Sequence, residues 1–282
     1  MKALVVGAGG QLGAALGRVL PAGGLVMRGR SELDVRDAAS LARAMADARP
    51  DVVFNAAAYN AVDAAEGEPA TAFAVNALGP LNLARACREV GALLVHFSTD
   101  YVFDGSDRRP IPEERCPRPL SVYGASKLSG EALVAASGAA HLIVRTSGLF
   151  ASGGSRDKGG SFVERILAKA RAGDTLRVVD DQVFAPTYAS DLAQAVLALV
   201  SSGARGLFHV TNEGPCSWRE LAVAAVEEAG LPTRVEAIPA AELGAPAARP
   251  RYSVLDTERY RSLGLPPLRP WRDALRAMLS AV

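Results

Sequence analysis

Two side chains, Tyr123 and Lys127, have the types and the spacing for acid–base chemistry on a carbonyl. They stand four apart in Ser121-Val-Tyr-Gly-Ala-Ser-Lys127, so a helix brings them onto one face. An ammonium held beside a phenol favours the phenolate. Two unit charges about 4 Å apart attract by about 1 kcal/mol in bulk water and by about 4 kcal/mol at an effective dielectric of about 20. Bringing a tyrosine from about 10 to about 7 takes about 4 kcal/mol. The pair is therefore expected to act only in a shielded site. There the tuned phenol would pass a proton to a carbonyl oxygen whose carbon is receiving a hydride. Lysine is scarce against arginine in this chain, and a guanidinium fork does not replace a compact ammonium. Taken alone, the same spacing also describes two ordinary polar residues on a surface turn.

Upstream lies His96-Phe-Ser98-Thr99-Asp100-Tyr101-Val-Phe103, at the end of an apolar run. Ser98 or Thr99 could bond a substrate carbonyl oxygen, and Asp100 could accept from a substrate hydroxyl. The plain alternative is a Ser/Thr/Asp turn closing a strand.

A third feature is Val5-Val-Gly7-Ala-Gly-Gly10-Gln11-Leu12-Gly13, where a first strand gives way to a first helix. The glycines at 7, 10 and 13 form G-x-x-G-x-x-G. Gly7 permits a tight turn, Gly10 lets a pyrophosphate approach the backbone, and Gly13 lets helix and strand pack closely. The helix N-terminus then offers free N–H groups and partial positive charge to phosphate. The second strand ends Met27-Arg28-Gly29-Arg30-Ser31, with no carboxylate at its end. Arg28 and Arg30 could meet a 2′-phosphate, so NADPH is expected to be preferred, or NADPH and NADH both used.

These features need elements to carry them. Ala3–Val6, Leu25–Met27, Val52–Phe54, Leu93–Phe97 and His141–Arg145 read as buried strands. Between them, 11–20, 38–48, 68–90 (with a possible break at Gly79-Pro80) and 126–136 read as helices. Strands apolar on both faces and separated by helices imply a parallel sheet covered on both sides. The expected fold is α/β, a Rossmann-type doubly wound parallel sheet with a smaller C-terminal substrate lobe. After about residue 150 the pattern changes. A Gly/Ser-rich loop at 151–160 precedes a helix at 162–172 and a strand at 175–179. A helix at 191–200 and a strand at 207–210 look like a return to the main sheet. A helix at 218–229 and a proline-rich stretch at 232–250 follow. The expected division is 1–147 plus about 190–211 as the dinucleotide-binding domain, and about 148–189 plus 212–282 as the substrate lobe.

Composition excludes several classes. Of 282 residues 49% are hydrophobic, enough for a sizeable core, which argues against a disordered chain. The 31 basic and 30 acidic residues leave no excess for non-specific nucleic-acid binding. No apolar run is long enough for a spanning helix, and Met1 to Val6 is too short for a signal-peptide core. Cys87, Cys116 and Cys216 are scattered and odd in number, which argues for a reducing, cytoplasmic setting and against a disulfide framework or a zinc site. His96, His141 and His209 sit in apolar stretches and read as core histidines rather than metal ligands. Asp180-Asp181 on a strand would point to opposite faces and make a poor acid–base dyad. Trp218 and Trp271, each opening a helical stretch, read as packing.

Together the segments resemble the extended short-chain dehydrogenase/reductases, and within them the dTDP-4-dehydrorhamnose reductase family. The matching stretches are Gly7-x-x-Gly10-Gln11-Leu12-Gly13, Asp51-Val-Val-Phe-Asn55-Ala-Ala-Ala58, Ala61-Val-Asp63-x-x-Glu66 and Ser98-Thr-Asp-Tyr-Val-Phe103. They continue with Tyr123-Gly-x-x-Lys127, Arg145-Thr-Ser147, Asp181-Gln182 with Pro186-Thr187, and Arg249-Pro250-x-x-Ser253. They run in the expected order over nearly the whole chain. The resemblance implies that Tyr123 is the catalytic acid, Lys127 its tuner and a ligand of the nicotinamide ribose, and Thr99 an aid at the carbonyl. Gly10, Gln11, Leu12, Asp34, Val35, Ala58, Tyr59, Asn60 and Phe97 would line the cofactor, NADPH or NADH. Thr99 and Asp100 would face the sugar of a nucleotide-sugar substrate, and Arg249 would help hold its diphosphate. The implied reaction is reduction of the 4-keto group of a dTDP-linked 6-deoxyhexulose to dTDP-L-rhamnose. Many family members are homodimers.

The chain departs from that pattern in its expected sugar pocket. Gly148 stands where many members carry Trp, so a stacking wall is either missing or supplied by another residue, with Phe150 the candidate. Phe184 stands where the family often has Gly, and the 151–160 loop looks long. Two other readings stay open: a binding protein similar to the regulatory subunit of methionine adenosyltransferase, and a reductase or epimerase of another nucleotide sugar. Keeping Thr99, Tyr123 and Lys127 together favours an enzyme.

Overall fold

The computed structural model describes residues 1–153 and 160–281. Its strands begin with β1 (Ala3–Val6), β2 (Leu25–Arg28), β3 (Val52–Asn55), β4 (Leu93–Thr99), β5 (His141–Thr146) and β6 (Leu149–Phe150). They continue with β7 (Leu176–Val179), β8 (Val183–Phe184), β9 (Thr187–Tyr188), β10 (Gly206–His209), β11 (Cys216–Ser217) and β12 (Val235–Ile238). The helices of the first half are α1 (Gln11–Val19), α2 (Ala38–Ala48), α3 (Val62–Gly67), α4 (Pro69–Phe73), α5 (Gly79–Val90) and α6 (Val122–Ala136). Those of the second half are α7 (Phe162–Arg171), α8 (Ala189–Ser201), α9 (Trp218–Glu228), α10 (Glu258–Arg261) and α11 (Trp271–Ser280).

Six strands form one parallel sheet in the order β10-β5-β4-β3-β1-β2. Every residue of β1, β3 and β4 is buried, as a strand covered on both faces requires. Alternate residues feed two cores. Val5, Phe54, Val95 and Val144 pack with α1 and α8 on one face. Leu4, Val53, Leu94 and Ile143 pack with α2 and α5 on the other. The strand order turns about β1, with β2 on one side and β3 on the other, and crevices at such a point are where open α/β sheets bind ligands.

The remaining elements build a further core of short pairs, β12–β7, β11–β8 and β6–β9. Phe150, Val163, Phe184, Leu221, Trp271 and Leu275 are among its buried side chains. Helices α7 and α9 each open on a capping box, Ser161 with Glu164 and Ser217 with Glu220.

Most element expectations hold, and the differences have causes. The helical stretch expected over 68–90, with a break allowed at Gly79-Pro80, widens just before that point, at 74–78, where the Gly79 N–H reaches back five residues to the Ala74 carbonyl. The irregularity comes just before Gly79-Pro80, because proline has no N–H to continue the ladder. Helix α6 starts at Val122, four residues earlier than expected, because Ser121 accepts from the Gly124 N–H as an N-cap. Inside the proline-rich stretch lies β12, paired parallel with β7. Asp180 and Asp181 lie beyond β7 and separate: Asp180 accepts from the Ser217 hydroxyl, Asp181 from the Ala240 N–H. Residues 154–159 of the expected 151–160 loop lie outside the described residues. Among those described, no helix is long and apolar enough to cross a membrane.

Candidate active site

The glycine loop closes β1 onto α1. Gly7 has φ +85°, and a Cβ there would lie 2.5 Å from the Ala57 nitrogen. A Cβ on Gly13 would lie 2.3 Å from the Gly7 carbonyl oxygen, whereas one on Gly10 would sit 3.5 Å from that oxygen, an ordinary contact. Gly7 and Gly13 are therefore demanded by the protein's own packing. Gly10 leaves open space on the ligand side. No side chain caps the N-terminus of α1, and the buried Gln11 Oε1 beside it has no partner. Leu12 is buried in the core beneath the loop. An uncapped helix start, an open glycine and an orphaned polar atom fit the pyrophosphate of a dinucleotide.

Next to the loop, Ala58 and Asn60 are exposed and Tyr59 is half-buried. Asn76, in the widened turn of the α4–α5 stretch, holds this segment. It accepts from the Tyr59 N–H at 2.8 Å and donates to the Tyr59 carbonyl at 2.9 Å and to Ser126 on α6 at 3.0 Å.

At β2 the structure corrects one expectation. A carboxylate does stand there: Glu32 turns back to accept from the Gly29 N–H at 2.7 Å, and lies 3.8 Å from Arg28 Nη1. The tight turn at 29–33 brings a residue four positions on to the strand end. Asp34 is paired with Arg36, whose guanidinium holds it down at about 2. Val35 is buried against Gly79, with its carbonyl bonded by Asn82.

Tyr123 and Lys127 come together over the carboxyl end of β4. Helix α6 is anchored there by Ser121 and by Glu66, which accepts from the Val122 N–H at 2.9 Å. Gly124 makes the approach possible, since a Cβ on it would lie 2.2 Å from the Tyr101 carbonyl. Lys127 is 3% exposed and donates to the Phe97 carbonyl at 2.6 Å. The Tyr123 phenol lies beside Thr99, two residues beyond Phe97 along β4, and the Thr99 hydroxyl favours its ionised form. One turn of α6 thus spans two strand residues.

The electrostatics differ from the sequence expectation. Tyr123 keeps an exposed edge, yet burial in the crevice pushes its phenol up to about 12; Thr99 opposes the rise and Asp100 adds to it. Lys127 is itself lowered to about 8 by burial, and its ammonium is committed to the Phe97 carbonyl. In this shielded site desolvation of the phenolate sets the direction of the shift. Tyr123 is therefore held as a phenol, ready to donate.

Asp100 and Arg249 also stand differently from the expectation. Asp100 is 3% exposed, and its carboxylate accepts three hydroxyls: Thr99 at 3.1 Å, Ser147 at 2.8 Å and Ser253 at 2.5 Å. It ties β4, the turn after β5 and the C-terminal segment together rather than facing a sugar. Arg249 is committed to Asp63 by two bonds of 2.9 and 2.8 Å, and further to the Ala247 carbonyl. It is not poised as a free diphosphate ligand.

Gly148 has φ +50°, and a Cβ on it would meet the Phe184 ring at 2.1 Å. The space beside Gly148 is filled by Phe184, which packs 4.0 Å from the Trp218 ring centroid. Phe150, the residue expected there, is instead stacked on Tyr188 in the core. Sequence reasoning gave no individual roles to Glu66, Asn76, Ser147 or Ser253. Glu66, Ser147 and Ser253 end family motifs, which was the available signal; Asn76 gave none.

A parallel sheet with a phosphate-ready loop at its turning point and a Tyr–Lys pair two strands away, over the end of β4, defines an extended short-chain dehydrogenase/reductase. The family described as "RmlD substrate binding domain" matches residues 1–282, and the chain belongs to that family. It is 43% identical over 288 aligned residues to the dTDP-4-dehydrorhamnose reductase of Streptomyces griseus, covering 99% of this chain and 93% of that one. It is 40% identical to the spore coat polysaccharide biosynthesis protein SpsK of Bacillus subtilis, covering 99% and 96%. The structure of dTDP-4-dehydrorhamnose reductase from Bacillus anthracis, in complex with NADP, superimposes with a TM-score of 0.95 at 34% identity, covering all of both chains.

Proposed function

We propose that this chain reduces the 4-keto group of a nucleotide-linked 6-deoxyhexulose with NADPH or NADH, dTDP-4-dehydro-L-rhamnose to dTDP-L-rhamnose being the leading case. The observation that carries this is the Tyr123 phenol, held as a phenol by burial next to Thr99 at the carboxyl end of β4, two strands from the turning point of the sheet. When bound, the nicotinamide cofactor supplies the hydride to the carbonyl carbon. The chain supplies the proton: Tyr123 gives it to the carbonyl oxygen, which becomes the new hydroxyl. A phenol at about 12 is fully protonated at neutral pH, and an alkoxide is a much stronger base, so the transfer runs downhill. Lys127 is the nearby cation for the phenolate left behind, and Thr99 orients the phenol. Gly10 and the start of α1 hold the pyrophosphate, and Ala58 to Asn60 wall the crevice. Arg28 is the residue for a 2′-phosphate, with Glu32 available to a free ribose hydroxyl.

Residues 1–147 and about 190–211 form the cofactor domain in this reading, and about 148–189 with 212–282 the sugar lobe. The protein would work in the cytoplasm as a homodimer, which light scattering would test. The filled space at Gly148 favours a second reading, a reductase or epimerase of another nucleotide sugar. Cofactor oxidation measured with a panel of keto-sugar nucleotides decides. Fastest reduction of the dTDP-6-deoxyhexulose supports the first reading, and faster turnover of another sugar supports the second. Cofactor binding with no turnover of any sugar would leave only a regulatory, nucleotide-holding role.

A further inference from the structure

Tyr123, Lys127 and Glu131 follow one another at four-residue intervals on α6, so the carboxylate stands one turn beyond the ammonium on the same face. We infer that Glu131, locked in place by Arg145, is a positioning residue of the reduction: the pair fixes α6 on β5 and turns its negative end toward the Lys127 ammonium. This rests on the proposed reductase reading of the site.

The pair is built as one piece. Arg145 Nε and Nη2 donate to the two Glu131 oxygens at 2.9 and 2.6 Å, a bidentate fork between side chains only 3% and 8% exposed. The third guanidinium nitrogen, Nη1, lies 3.4 Å from His209 Nε2 on β10. His209 Nδ1 is 3.0 Å from the Ile111 carbonyl, which can only accept. Nδ1 therefore carries the proton, and Nε2 is left to accept from Arg145. The guanidinium also lies over the Phe103 ring, 5.1 Å from its centroid. Arg145 is thus fixed from three sides, and Glu131 with it. In the sheet Arg145 is paired with Ser98 of β4. That position lies between Phe97, which takes the Lys127 ammonium, and Thr99, beside Tyr123. The tie meets the sheet at the level where the two site residues work.

Stability alone does not explain such a pair. Desolvating two charges costs about as much as their attraction returns, and apolar side chains of similar volume often do as well or better. What apolar packing does not supply is a charge. Lys127 is buried and donates to a neutral carbonyl. Glu131 is the carboxylate that favours its charged form, against the burial that lowers it to about 8. The other charged and titratable groups around α6 do not take this part. His96 on β4 faces the helix at Gly130 and is kept neutral by burial. Burial and Arg145 hold His209 at about 3. His141 on β5 lines the same groove as Glu131 and bonds the Ala139 carbonyl. Asp100 and Tyr101 stand beside Tyr123, at the other end of the face. Glu66 is spent on the Val122 N–H at the start of α6, and Arg88 of α5 on the Ser137 carbonyl past its end.

The test separates charge from packing. Glu131→Gln keeps the shape and removes the charge. Glu131→Leu combined with Arg145→Met removes the whole pair and leaves apolar packing, so it should melt above Glu131→Gln, which strands a buried guanidinium. The first readout needs no substrate. The chain has four lysines, so in protein labelled with carbon-13 at lysine Cε the Lys127 resonance is the one missing from Lys127→Met. It should titrate at about 8 in the wild type and at least about half a pH unit lower in both variants, since a negative charge about 6 Å away is gone. The second readout is kcat for the keto sugar at saturating NADPH. It should fall about tenfold or more in both variants, and its alkaline decline should move down with the Lys127 titration. An unchanged Lys127 titration in either variant overturns the inference. So does a double variant with the kcat and pH profile of the wild type, which would make the pair packing alone. If Glu131→Gln does not fold, the double variant decides by itself. No turnover of any keto sugar by the wild type would instead defeat the reductase reading, and the Lys127 titration would still judge the pair.

Discussion

Three glycines in one loop should respond to alanine in different ways. At Gly13 a new Cβ would lie 2.3 Å from the Gly7 carbonyl oxygen and 2.8 Å from the Ala8 Cα, both backbone atoms that no rotamer can move. Relief requires α1 to shift against β1. Overpacking of this kind costs about 1–3 kcal/mol, and the helix propensity gained over glycine returns only about 1 kcal/mol. With a clash this short the upper part of that range applies, so Gly13→Ala should lose about 1–2 kcal/mol net, roughly 2–8 °C in Tm for a chain of this size. At Gly10, φ is −84° and the nearest neighbour of a new Cβ is an ordinary 3.5 Å away. Gly10→Ala should leave the free protein within about 0.5 kcal/mol of wild type, or slightly above it. Its methyl would instead stand where a pyrophosphate approaches the α1 N-terminus. Saturating NADPH at about a hundred times its Kd should stabilise the wild type by about 2.7 kcal/mol. That thermal shift should be largely lost in Gly10→Ala. Melting curves with and without NADPH read both effects. If Gly10→Ala melts as low as Gly13→Ala, or keeps the full NADPH shift, the division between packing glycine and ligand glycine is wrong.

Other outcomes follow from the same geometry. Gly148→Trp should be strongly destabilised by the Phe184 ring, and adding Phe184→Ala should recover at least about 1 kcal/mol of coupling in a double-mutant cycle read by denaturant unfolding. Additive losses would mean that the two do not compete for one space. Arg28→Ala should weaken NADPH about tenfold while leaving NADH nearly unchanged, measured as Kd values; equal losses would deny Arg28 the 2′-phosphate. Lys127 is charged below about 8, so turnover should decline as pH rises past that value and the ammonium is lost. In Lys127→Met the alkaline decline should vanish, and a retained decline would assign it elsewhere.

The parallel-sheet half of this protein was legible because its determinants are local. Strands apolar on both faces, helices between them and a glycine loop at the first junction imply the parallel sheet, and Tyr123 and Lys127 sit one helical turn apart. What stayed hidden depends on distant partners. Nothing local says that Asp63 will take up Arg249, 186 residues away, or that Ser253 will close onto Asp100 from 153 residues away. Both long-range pairs turn expected substrate ligands into structural ties. The Glu32 carboxylate was missed because a tight turn, not a strand, carries it to the end of β2. The electrostatics of Tyr123 were misjudged for a related reason. The spacing of Lys127 is visible in the sequence, but the Phe97 carbonyl that takes its ammonium, and the depth of burial, belong to the fold.

The claim on which the rest depends is that the Tyr123 hydroxyl delivers the proton. Its most direct measurement is steady-state turnover of the keto-sugar nucleotide by Tyr123→Phe, paired with the NADPH Kd of the same variant. The account predicts a loss in kcat of about 10²-fold or more, with cofactor affinity nearly intact. Turnover close to that of the wild type would contradict it.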